Sequence, residues 1–90
     1  MTGIRMLFVT LARMRQKITK ESEGKSDQFL KSPPPGIKIH NVLYTLGRYD
    51  LVILYEAPSE KDAMATSLMW ADKVVTETLV AIPREEAKTS

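Results

Sequence analysis

Residues 44–57, YTLGRYDLVILYEA, limit what this chain can fold into more than any other stretch. They read as an apolar strand, a tight turn at residues 47–50, and a second apolar strand. Gly47 can take the positive φ such a turn needs, and Asp50 can bond nearby backbone amides. The second strand has so little polarity that it must be buried on both faces. A two-stranded hairpin cannot supply that burial alone, so the other elements must be arranged around it.

Residues 4–12, IRMLFVTLA, are apolar on both alternating faces. Met6, Phe8, Thr10 and Ala12 share one face and Leu7, Val9 and Leu11 the other, which predicts a central strand. Residues 14–31 are polar and rich in helix formers, with sparse apolar positions at Met14, Ile18, Phe29 and Leu30. They predict a helix whose weak point is Gly24. The prolines of SPPPG, residues 32–36, stop it. Residues 37–46 predict an edge strand, because their faces are mixed. A strict period of two places Ile37, Ile39, Asn41 and Leu43 on one side, and Lys38, His40, Val42 and Tyr44 on the other. Residues 58–71 predict the second helix. Ser59 and Asp62 resemble a capping box, and Ala63, Met64, Ser67, Leu68 and Ala71 form its packing side. Residues 74–82 predict the last strand, and Pro83 ends it. Residues 1–83 are thus expected to form one domain and residues 84–90 a flexible charged tail.

The order β-α-β-β-α-β predicts a ferredoxin-like α+β fold with a four-stranded antiparallel sheet. That topology puts the first and third strands, the two most apolar, in the centre. Right-handed crossovers put both helices on one face and leave the other bare and apolar. A 90-residue chain has little core to spare. A second copy packed sheet to sheet, as in a dimeric α+β barrel, is the expected way to cover that face. The expected partner is therefore the chain itself, as a homodimer or higher homo-oligomer.

Thirteen Lys and Arg against eleven Asp and Glu leave a net charge of +2, too small an excess for a surface built for nucleic acid. No run approaches the roughly 20 apolar residues that span a bilayer, so no membrane partner and a cytoplasmic location are expected. With no cysteine, thiolate chemistry and disulfides are excluded. No phosphate loop or metal-ligand cluster is present, and no cofactor or metal is expected.

His40 is the only histidine and the natural candidate for a general base at neutral pH, with Asp50 a second catalytic suspect. The period of two puts His40 beside Tyr44. Tyr44, Tyr49 and Trp70 offer aromatic surface for a small ligand. Gly47, Tyr49 and Asp50 are first of all a structural turn. Glu56 and Glu77 stand among apolar neighbours and are expected to pair with a cation such as Arg5, Arg13 or Arg48.

The segment from Tyr44 to Val52, with Gly47, Tyr49 and Asp50 in the turn, continues through Glu56-Ala57-Pro58 and later Val75-Thr76-Glu77-Thr78-Leu79. It resembles the GYD-domain family, named for that glycine, tyrosine and aspartate. The resemblance implies a small domain of the dimeric α+β barrel type and carries over no catalytic residue. It sets the leading expectation: a non-enzymatic oligomeric module that binds a small molecule or a protein. The alternatives are an oxygenase- or isomerase-like enzyme with a pocket between sheet and helices, and a purely structural assembly protein.

Overall fold

The computed structural model describes residues 5–15 and 20–88. Strand β1, Met6–Met14, pairs antiparallel with β3, Leu51–Ala57, on one side and with β4, Val74–Ala81, on the other. Strand β2, Lys38–Tyr44, pairs with the outer side of β3, so the sheet order is β2-β3-β1-β4. The two most apolar strands are central, as their two-sided apolar pattern requires. This is the ferredoxin-like arrangement. Helix α1, Lys20–Lys31, and helix α2, Glu60–Met69, carry the crossovers. Beyond Pro83, Arg84–Ala87 forms one exposed helical turn, α3.

Residues paired across the ladder share a face. Phe8, Tyr55 and Val80 stand in one row, and Thr10, Ile53 and Thr78 in the next. This is the helix-covered face. Its core is Phe8, Ile37, Tyr55 and Ala57 with Ala63 of α2, and the Phe8 and Tyr55 rings stack with centroids 5.7 Å apart. Ala63 has the small side chain that lets α2 approach the sheet closely.

Several local expectations need correction. Met14 closes β1 and does not begin a helix, because its amide binds Asp50 and it pairs with Val74. Ile18 lies outside the described residues. Helix α1 runs through Gly24 without interruption. The packing side of α2 is rotated: Met64 and Leu68 are 64% and 66% exposed and Ala71 is exposed too, while Ala63 and Ser67 keep their expected side and Thr66 and Trp70 join them at the cleft. The cap also differs in detail. Ser59 accepts from the Asp62 amide, but the Asp62 carboxylate accepts from the Ser59 hydroxyl instead of reaching the backbone. Aspartate is one methylene too short for the reciprocal bond.

The largest correction is in β2. Its register slips between Ile39 and Asn41, a β-bulge at His40. After the bulge, Val42 and Tyr44 join Ile39 on the helix-covered face, and Leu43 joins Lys38 on the open one. A strict period of two cannot anticipate an extra residue.

Candidate functional site

The turn after β2 is built from short polar bonds that tie it to the end of β1. Gly47 takes φ 107°, the left-handed region open to glycine at little cost. The Thr45 amide donates to the Asp50 carbonyl at 3.0 Å, and the Thr45 hydroxyl to the Tyr49 carbonyl at 2.6 Å. Asp50 then donates its amide to the Ala12 carbonyl at 2.9 Å, and its carboxylate accepts from the Met14 amide at 2.8 Å. The aspartate thus continues the β1–β3 ladder by one side-chain bond.

That turn forms one edge of a cleft of about 520 Å³ between the sheet and the helices. Ala12, Ile39, Val42, Leu51 and Ile53 make the sheet wall, Phe29 and Leu30 the α1 wall, and Trp70 of α2 closes one side. Phe29 packs edge-on against Trp70, with centroids 5.4 Å apart. Helix α1 stands over the cleft, and this is why the polar first helix carried so weak an apolar stripe: Phe29 and Leu30 are its apolar residues facing inward, beside Glu23, Ser26 and Asp27.

The cleft is apolar with a few placed polar groups. Glu23 and Asp27 on α1 and Asp50 on the turn are its carboxylates. On the sheet side, the Thr10 and Thr78 hydroxyls are 2.8 Å apart, and the Ser67 hydroxyl lies 3.1 Å from Thr78. Tyr55 also lines the cleft, and its buried hydroxyl has no partner among the described residues. Leaving such a group unpaired costs roughly 1–3 kcal/mol.

Of the residues singled out in the sequence, Tyr44, Asp50 and Trp70 line this cleft together. Tyr44 sits at its mouth and is 80% exposed. His40 does not belong to it. His40 stays with Lys38 on the open face of the sheet, where its Nε2 meets the Glu56 carboxylate, and the bulge separates it from Tyr44. Tyr49 also leaves the cleft: its hydroxyl donates to Glu77 Oε1 at 2.8 Å. That bond, with lesser contributions from desolvation and the Glu77 charge, raises the Tyr49 phenol above its ordinary value. Glu56 and Glu77 therefore pair with a histidine and a tyrosine, not with an arginine. Sequence reasoning missed Thr10, Ser67 and Tyr55, because hydroxyls scattered over three elements leave no local pattern. The alternation of Thr10 with Phe8 and Ala12 was their one signal.

No group of three or more metal-ligating side chains occurs among the described residues, and no helix there is long and apolar enough to cross a membrane. The family model described as the GYD domain matches residues 10–90. No curated protein and no solved structure matches the chain.

Proposed function

Because the chain belongs to the GYD-domain family, we propose that it is a small homo-oligomeric binding module whose ligand occupies the cleft between sheet and helices. The cleft itself carries this reading. At about 520 Å³ it falls in the range of pockets that hold small molecules, and like them it is apolar with few polar groups. A domain that served only as a scaffold would gain more by closing α1 onto the sheet, since each buried apolar Å² contributes roughly 25 cal/mol.

Oligomerisation is supported by the opposite face. Leu7, Val9 and Leu11 of β1, Val52 and Leu54 of β3 and Leu79 of β4 point away from the helices. The total surface is 6982 Å², where roughly 5,300 Å² is usual for a monomer of this mass. A second copy on this face would bury a contiguous apolar patch of the kind that marks interfaces.

Native mass spectrometry of freshly purified protein tests both parts, since it reports stoichiometry and any retained small molecule. A dimer or larger ring carrying added mass is expected. A bare monomer, together with flat thermal-shift screens against amino acids, nucleotides and aromatics, would overturn the reading.

A further inference from the structure

The polarity of the cleft is divided in an informative way. Its helix and turn edges carry the carboxylates of Glu23, Asp27 and Asp50, and no lysine or arginine among the described residues lines it. Its sheet side carries hydroxyls. Thr10, 5% exposed, and Ser67 are the two ends of a chain of three hydroxyls linked through Thr78. Three hydroxyls hold three protons, and two bonds use two of them. When Thr78 donates to one neighbour and accepts from the other, the third proton is left at Thr10 or Ser67, both of which line the cleft. Tyr55, 3% exposed, holds another O–H without an acceptor among the described residues. Two donors are therefore unspent, and neither is balanced by a cation.

The geometry points to a ligand that is neutral and mostly apolar, with a carbonyl-type acceptor turned toward the sheet side of the cleft, where the hydroxyl residues Tyr55, Thr10 and Ser67 stand. This inference rests on the cleft being the ligand site, and narrows the chemical class that fits it. A carboxylate ligand would meet three carboxylates and, among the described residues, no counter-charge. A hydrocarbon of the same size would leave both donors unmet. A ketone, ester or amide supplies an acceptor oxygen that such a donor can bind. Its apolar body would lie against Trp70, Phe29 and the sheet wall. Tyr55 and Ser67 are then specificity-determining residues.

Three probes of matched shape test this on the full chain: benzophenone, diphenylmethane and diphenylacetate. Calorimetry gives their affinities, and Trp70, the only tryptophan, reports occupancy of the cleft through its fluorescence. Benzophenone is expected to bind roughly five- to tenfold more tightly than diphenylmethane, with diphenylacetate weakest. Tyr55→Phe should bring benzophenone down to the diphenylmethane level and leave diphenylmethane unchanged. Its melting temperature should not fall, because the deleted hydroxyl has no partner to lose. Ser67→Ala should act in the same direction. Equal binding of benzophenone and diphenylmethane, or tightest binding of diphenylacetate, would overturn the ligand class and leave the cleft as a site. Failure of all three probes to bind or to move Trp70 emission would overturn the cleft reading, and the ligand class with it.

Discussion

Gly47, Tyr49 and Asp50 show how one short signature does three separate jobs. Gly47 has φ 107°, and a Cβ built there would meet nothing within 4 Å. Only backbone strain opposes a side chain, so Gly47→Ala should destabilise the fold by about 1–2 kcal/mol in urea denaturation. A much larger loss would mean that the turn also packs against a partner. Asp50 joins the turn to β1. Tyr49 joins it to β4 through Glu77. Loss of the Tyr49 proton would set a phenolate beside a carboxylate, and so its folded-state pKa lies above the unfolded value. The stabilisation is complete below the unfolded pKa, near 10, and disappears as pH rises through the higher folded value. Absorbance titration at 295 nm should therefore show one late-titrating tyrosine, returned toward ordinary behaviour by Glu77→Gln. If all tyrosines titrate together in both proteins, this bond is not made in solution.

At the scale of elements, the two helices play different parts. Helix α2 docks through Ala63, whose small side chain permits close approach, and it is capped by Ser59. Helix α1 is held over the cleft by Phe29 against Trp70 and otherwise leaves room beneath it. Its Gly24 has open space around a would-be Cβ and an ordinary helical backbone. Gly24→Ala should therefore stabilise the protein by about 0.5–1 kcal/mol, read as a raised urea midpoint with an unchanged slope. If α1 must fray to admit a ligand, the same variant should slow ligand association without weakening the fold. In β2, the bulge at His40 matters more than any propensity. It leaves the histidine on the Glu56 side and delivers Tyr44 to the mouth of the cleft.

For the whole molecule, the sheet is a wall with a different task on each side. One side holds the cleft. The other presents apolar rows with Leu43 54% and Leu79 45% exposed, bordered by the His40–Glu56 and Tyr49–Glu77 pairs. A charge placed among those rows would have to be desolvated in a sheet-to-sheet dimer, at a cost of several kcal/mol. Leu79→Glu should accordingly shift sedimentation toward the monomer and leave the circular dichroism spectrum unchanged. A Leu79→Glu protein that remains fully associated would place the interface elsewhere. The turn of residues 45–50 touches both sides, with Asp50 at the cleft and Tyr49 over the open face.

Much of this was legible in the residue order. Continuous apolarity in LVILYEA and on both faces of β1 specifies central strands, because such segments can be satisfied only by burial on both sides. The order of elements then leaves few topologies, and Gly47 with Asp50 specifies a turn. The cleft was not legible, nor was the membership of its walls. The exposure of Met64 and Leu68 depends on how α2 seats on the sheet through Ala63 and the Ser67–Thr78 contact. The separation of His40 from Tyr44 depends on one extra residue in an edge strand. Both are set by contacts between residues far apart in the chain, such as Thr10 with Thr78 and His40 with Glu56, which no local periodicity encodes.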